Sequence, residues 1–303
     1  MIKYISPSSL SAFYNDRTSF YLERLSPNKL PRLPQTNHMS VGSAFDAYVK
    51  SYLVGTIYGN SYPEFEFDTL FEAQVEKQNR DYANKWGEKL FKVYKDYGGL
   101  ANLMMELKAS DGEPRFEREI NATVDGIPMM GKPDLNYVLH GPEVVRIIHD
   151  WKITSVVSPK PHYVMARYNG NRKSPISYKD AHVENIYGIN VNIACNLEDI
   201  QPDWANQLTI YNWIDGASVG SAQIGSIDLL TDYLNIDHGR VVSYRNRIGE
   251  QFQLNLFQRI KKMWEKIQDD WIFDDMTQEE SQEYCRILDS NNDPVFRKLT
   301  LGR

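Results

Sequence analysis

The chain has 303 residues, is 42% hydrophobic, 12% aromatic and 24% charged, and carries a formal net charge of −6. That balance supports a substantial buried core and excludes disordered and fibrous classes, and no apolar run approaches the roughly 18 residues that a membrane-spanning helix needs. Two cysteines, Cys195 and Cys285, cannot build a disulfide framework or a four-cysteine metal site.

The opening MIKYISPSSL lacks the charged and apolar regions of a secretion signal, which points to an intracellular, cytoplasmic protein without a membrane partner. A pI near 5.6 argues against a globally basic nucleic-acid wrapper and leaves room for a local basic groove.

The first third is expected to be helical. Ser6 followed by Pro7 is a cap with a ring at the first helical position, and Leu10, Phe13, Tyr14, Tyr21 and Leu25 follow at helical spacing. A proline-rich loop over 27–34 interrupts. The next helix is predicted from about Gly42, with Phe45, Tyr48, Val49, Tyr52 and Leu53 on one face. Helical pattern covers 68–108, broken near Gly98-Gly99.

The texture then turns to period two. Residues 115–124 form a predicted strand, Asp125-Gly126 a tight hairpin turn, 127–139 a returning strand and 143–153 a third. A long polar segment spans about 155–200. Helical pattern returns over 202–214, short strands over 219–245, and a strong amphipathic helix over 249–271, where Phe252, Leu256, Ile260, Met263, Trp264 and Ile267 repeat. The order predicts an α/β (α+β) fold, a central mixed sheet with an antiparallel meander flanked by helices. One domain, 1–303, is expected: a helical region over 1–110, a core over 111–275 with an insertion at 155–200, and a tail over 276–303.

The third strand, VVRIIHDWKIT, carries the chemistry. Alternation puts Val144, Arg146, Ile148, Asp150 and Lys152 on one face, so an acid and an amine stand about 6–7 Å apart. His149 and Trp151 fall on the other face, toward the core. Upstream, GKPDL puts Asp134 in the middle of the neighbouring strand. Two carboxylates and a lysine suit a hard divalent cation such as Mg²⁺, which would stabilise charge on a phosphodiester and acidify a water. The lysine would orient that water, or act as a base with a depressed pKa.

A bare Asp-x-Lys arises by chance about once in such a chain, and its plain alternative is a surface ion pair. The mostly apolar strand around it favours a functional site, since buried charges must be paired or metal-bound. If Asp125-Gly126 is a two-residue loop, Glu117 stands opposite Asp134 and Glu119 opposite Lys132, making Glu117 an accessory acid.

Asp134 in GKPD together with Asp150-Trp151-Lys152 resembles the PD-(D/E)xK nuclease signature, and the flanking motifs are similar to its RecB and lambda-exonuclease branch. ISPSSLSAFYNDRTSFYLERL resembles that branch's first helix, VGSAFDAYVKSYL its glycine-led second-helix motif, NQLTIYNWI its Gln-x-x-x-Tyr motif, and RNRIGEQFQLNLFQRIKKMWEKI its final helix. The resemblance covers most of the chain in the family order.

It implies a restriction-endonuclease-like core and a stand-alone, phage-type DNA nuclease, dependent on Mg²⁺ with Mn²⁺ as substitute. The implied activity is exonucleolytic, in recombination, replication or repair, beside a partner protein of that machinery. Asp134, Asp150 and Lys152 would be catalytic. Asp46, Asp134, Asp150, the Trp151 carbonyl and Glu117 would hold metal.

Gln207 and Tyr211 would hold the DNA strand. At spacing i, i+4 they share a helix face about 6 Å apart, and the tyrosine ring could stack on a base for about 1–3 kcal/mol. The alternative packs Tyr211 into the core with Trp204 and Leu208.

Two departures stand out. The branch's usual histidine ligand is replaced by Asp46, an acid that still suits Mg²⁺ or simply favours the first turn of a helix. Four cysteines for an iron–sulfur cluster and a GxxxxGK[ST] loop for ATP are both missing. Between the third strand and Gln207, Lys160, His162, Arg167, Arg172, Lys173 and Lys179 interleave with tyrosines, a candidate DNA-guiding insertion or a partner contact. Rival readings are a catalytically silent, nuclease-like DNA-binding or scaffold subunit, and a structure-specific endonuclease.

Overall fold

The computed structural model describes residues 2–140, 144–153, 198, 202–221, 223–231 and 240–293, with strand segments 163–164, 167–168, 171–172, 176–177, 183–186 and 189–192. Ser6 and Ser9 exchange backbone and hydroxyl hydrogen bonds in a capping box, which starts α1 (Pro7–Asn15) where the Ser6-Pro7 pair predicts it. A short α2 (Arg17–Phe20) and a π-turn over Tyr21–Leu25 follow.

Helix α3 (Asn37–Tyr58) begins earlier than the expected Gly42, because Thr36 accepts from the Met39 N–H and caps it there. Asp46 therefore lies well inside the helix rather than in its first turn, which removes the helix-dipole reading. Helices α4 (Phe67–Gln74), α5 (Arg80–Asp96) and α6 (Gly99–Ala109) complete this helical layer, with Gly98 at φ +83° making the expected break.

The meander is split. Strands β1 (Arg115–Phe116) and β2 (Ile120–Val124) replace one predicted strand, and β3 (Ile127–Gly131) and β4 (Leu135–His140) replace the other. Register is nevertheless continuous: Arg115 faces Asn136, Phe116 faces Leu135, Ile120 faces Gly131 and Val124 faces Ile127. The ladder opens because Pro133 has no N–H to offer and Glu117 adopts φ +50°. Asp134 thus sits at the break just before β4, not in mid-strand.

Strand β5 (Val144–Ile153) pairs antiparallel with β4. The segment expected to be polar loop contributes β6 (Tyr163–Val164) paired with β9 (Ile176–Ser177), β7 (Arg167–Tyr168) paired with β8 (Asn171–Arg172), and the hairpin of β10 (Val183–Ile186) and β11 (Ile189–Asn192). Helix α7 (Pro202–Ile214) has its predicted bounds. Beyond it, β12 (Gln223–Thr231) and β13 (Arg240–Ile248) are longer than the short strands anticipated. Helix α8 (Glu250–Gln268) follows, and the presumed tail contains α9 (Gln278–Asn291), started by a Thr277–Glu280 capping box.

Among the described residues, one seven-stranded sheet runs in the order β1-β4-β5-β12-β13-β11-β10. It is mixed: β5–β12 and β11–β13 are parallel and the other pairs antiparallel. The predicted α/β class with a mixed sheet flanked by helices is what the molecule has.

Strand β5 divides two cores by its alternation. Ile147 and Trp151 join Phe45, Val49, Leu90 and Tyr94 on the α3–α5 side, whereas Ile148 packs with Ala205, Leu208 and Tyr211 of α7 on the other. A third cluster gathers Phe13, Met129, Trp213, Leu256, Ile260 and Met263 from α1, β3, α7 and α8. No helix of the described residues is long and apolar enough to cross a membrane.

Helices α3 and α5 touch through small residues: a Cβ added at Gly87 would stand 2.7 Å from Ala44 Cβ, whereas one added at Gly55 meets nothing within 4 Å. Gly87→Ala should therefore lower stability by about 1–2 kcal/mol net, overpacking outweighing its helix-propensity gain. Gly55→Ala should raise it by about 0.5–1 kcal/mol. Denaturant unfolding of both variants checks the pair, and a stabilised Gly87→Ala would contradict this packing.

Candidate active site

The break in the β-ladder opens beside α3. Because register is kept across it, Glu117 and Asp134 stay opposite one another, joined by the Glu117 N–H to the Asp134 carbonyl at 3.1 Å. Asp46 and Lys50 lie one turn apart on α3 and point into the same opening. The Lys50 ammonium is wholly buried, 2.6 Å from Asp46 Oδ1 and 3.1 Å from Asp134 Oδ1, and it also pairs with Glu117 Oε1. Lys132 takes the other Glu117 oxygen, and Gln74 Nε2 donates to Asp46 Oδ2 at 3.2 Å. The Trp151 N–H donates to Asp134 Oδ2 at 3.2 Å.

Asp150 and Lys152 project from β5 toward α7, as alternation predicts. Lys152 pairs with Asp150 and donates to Gln207 Oε1 at 3.0 Å, and Gln207 Nε2 donates to the Tyr211 hydroxyl at 3.2 Å. The helix comes this close because Gly131 lies beneath Tyr211, where an added Cβ would be 2.5 Å from the ring. A cleft of about 710 Å³ runs over the group, with Arg32, Asp46, Glu117, Asp134 and Lys152 in its walls.

Burial and charge set the protonation states. Burial pushes the Asp46 carboxyl up to about 7, Lys50 opposing this and the neighbouring acids adding to it. Burial also disfavours charge on Asp134, but Lys50, a hydrogen bond with Asp150 and the Lys152 charge outweigh it and hold Asp134 well below the usual carboxylate range. Glu117 is likewise lowered against burial by Lys50 and Lys132. Asp150 goes the other way, raised by burial and by the Asp134 charge, with Lys152 opposing the shift.

Burial favours neutral lysine, yet the surrounding carboxylates keep both Lys50 and Lys152 above the ordinary value. Lys152 is therefore held toward its charged form. The expectation of a base with a depressed pKa is overturned by its ion pair with Asp150.

Of the expected site residues, Asp46, Glu117 and Asp134 present one oxygen each, all within 4.8 Å of one another. Asp150 stands behind Asp134, and Trp151 is oriented by its N–H. Three hard oxygen donors from three elements, opening on a cleft, fit a hard divalent cation such as Mg²⁺ in kind and in number. The same three carboxylates hold the Lys50 ammonium.

The Tyr211 ring is 8% exposed and packed over Gly131, which matches the alternative that places it in the core beside Leu208. His149 and Trp151 lie in the core as anticipated, with His149 Nδ1 3.1 Å from Ser226 Oγ. Arg167 and Arg172 stand opposite each other across β7–β8. Lys160, His162, Lys173 and Lys179 lie outside the described residues.

Sequence reasoning missed Lys50 and Gln74, and it set Lys132 opposite Glu119 without giving it the ion pair it makes with Glu117. For Lys50 the available signal was its i, i+4 spacing from Asp46 in FDAYVK.

No protein-family model matches the chain, and no curated protein matches it. Among solved structures, a crystal structure named "Putative exonuclease" from Eubacterium rectale is similar at 14% identity, covering 99% of this chain and 94% of that one with a TM-score of 0.49. The crystal structure of SSO0001 is similar at 13% identity, covering 83% of this chain and 84% of that one with a TM-score of 0.27. Both scores fall below the level at which a shared fold or activity follows.

Proposed function

We propose that the chain is a metal-dependent DNA nuclease of the PD-(D/E)xK type that hydrolyses phosphodiester bonds from DNA ends. The observation that carries this reading is the convergence of Asp46, Glu117 and Asp134 within 4.8 Å beside a lysine fixed by Asp150 and Gln207.

Asp46, Glu117 and Asp134 would hold Mg²⁺, with the Trp151 carbonyl as a further oxygen and Asp150 at its edge. Bound there, the ion supplies Lewis-acid stabilisation of a phosphodiester's developing charge. Lys152, kept protonated by Asp150, donates to a phosphate oxygen or positions the attacking water. Gln207 sets the direction of the Lys152 ammonium, and the Tyr211 hydroxyl receives the Gln207 amide. Arg32 in the cleft wall and Lys160, Arg167, Arg172 and Lys173 of the insertion provide charge for the DNA backbone.

Lys50 at the centre of the acids favours a second reading, a non-cleaving DNA-binding subunit in which an ammonium has taken the place of metal. The two separate on labelled linear DNA: cleavage with Mg²⁺ or Mn²⁺ that stops on chelation, against retardation alone.

Lys152→Ala and Asp134→Asn should each lower cleavage by about 10²–10⁴-fold with an unchanged circular dichroism spectrum. Undiminished turnover in either variant removes the proposed site. Gln207→Ala, which strips Lys152 of one acceptor, should lower kcat by about tenfold, the equivalent of one hydrogen bond. Closed circular DNA should resist the enzyme, and its rapid linearisation would establish endonucleolytic action instead.

A further inference from the structure

We infer that the Lys50 ammonium and a divalent metal ion are alternative occupants of one position, so that the acidic cluster carries its own removable counter-cation. The inference rests on the metal-dependent reading above.

An i, i+4 pair on a helix is ordinarily a solvated surface contact. Lys50 differs in two respects. Its side chain is 0% exposed, and beyond Asp46 it reaches Glu117 and Asp134, which lie 67 and 84 positions away in sequence. Those three residues are the same three whose oxygens converge within 4.8 Å.

A divalent ion takes oxygens at about 2.0–2.1 Å, and the Lys50 nitrogen already lies 2.6 and 3.1 Å from oxygens of Asp46 and Asp134, two of the three carboxylates that would bind it. Two cations cannot share that space. Three carboxylates cannot all stay ionised there without a cation, because burial and their mutual repulsion disfavour the charged forms. One occupant must therefore replace the other.

The lysine is suited to leave, because its charge rides on a flexible four-carbon stem that can swing out of the acid cluster. Lys50 thus holds the acids in place without metal, and it lowers the apparent affinity for metal by the work of displacing it.

Two measurements test this, with Mn²⁺ as the probe. In the wild-type protein, acetylation footprinting read by mass spectrometry should find Lys50 shielded without metal and modified when calorimetry shows the site saturated. The isosteric, uncharged variant Lys50→Met should bind Mn²⁺ at least about tenfold more tightly, a gain of about 1.4 kcal/mol. Its melting temperature should also rise more on adding Mn²⁺ than that of wild type.

Lys50 still shielded in metal-saturated wild type overturns the inference. So does a folded Lys50→Met that binds Mn²⁺ no better. If the variant folds only in Mn²⁺, mutual replacement is supported. If it folds in neither condition, the wild-type footprint decides, and a wild type that also takes no metal ends the proposal. Tighter binding by Lys50→Met without cleavage by either protein would sink the nuclease reading and leave the exchange intact. Cleavage by wild type with Lys50 shielded throughout would do the reverse.

Discussion

Carboxylates crowded into a partly dry cleft must have cations threaded between them, and this constraint organises the molecule around Lys50. From Lys132 to Glu117, Lys50, Asp134, Asp150 and Lys152, each acid meets a cation or shares a proton, and the chain ends in the neutral amide and phenol of Gln207 and Tyr211. The protonation states follow from position along that line. Asp134, touched by Lys50 and by the Trp151 N–H, is held toward its ionised form; Asp150, beside that charge, is pushed the other way by burial and by Asp134. Both lysines are held toward the charged form by their carboxylate neighbours, against burial.

The fold delivers this line by interrupting a sheet without shifting it. Arg115 opposite Asn136 and Ile120 opposite Gly131 belong to one register on both sides of the gap, so the ladder separates while the alternation of faces is preserved. Glu117 pays for the gap with a left-handed backbone, about 1–2 kcal/mol in an L-residue. In return its carboxylate leaves the sheet for the cleft. Two glycines then let α7 lie low on the sheet: Gly131 under Tyr211 and Gly225 under Leu208, where an added Cβ would be 2.5 Å from Leu208 Cδ1. The depth of that helix places Gln207 within reach of Lys152.

Much of this was legible in the residues. Strand β5 declared itself by alternation, and with it the side of the sheet to which Asp150 and Lys152 point. The Asp125-Gly126 turn fixed a register that carried Glu117 to Asp134, since a two-residue loop leaves no freedom in the count. What escaped depended on distant partners. Nothing local distinguishes the Asp46–Lys50 pair from a solvated one; its burial follows from a ladder break some 67 positions further on. The burial of Tyr211 hangs on the missing side chain at Gly131. The β6–β11 strands are short and polar, and pairing across sequence, rather than periodicity, defines them. The cap at Thr36 was readable but was overshadowed by the apolar face starting later.

The ion pairs around the two lysines divide their work. Lys152 is gripped from the side by Asp150 and Gln207, in an arrangement that leaves the acid trio to others, and its protonation makes it a donor in any chemistry performed in the cleft. Lys50 is gripped by the trio itself. A lysine that only stabilised the fold would serve as well against one carboxylate; contact with every member of the converging set makes its ammonium interchangeable with whatever cation that set can take. The same three acids therefore fix the buried Lys50 and line the cleft, so a change at Asp46, Glu117 or Asp134 alters the core and the cleft together.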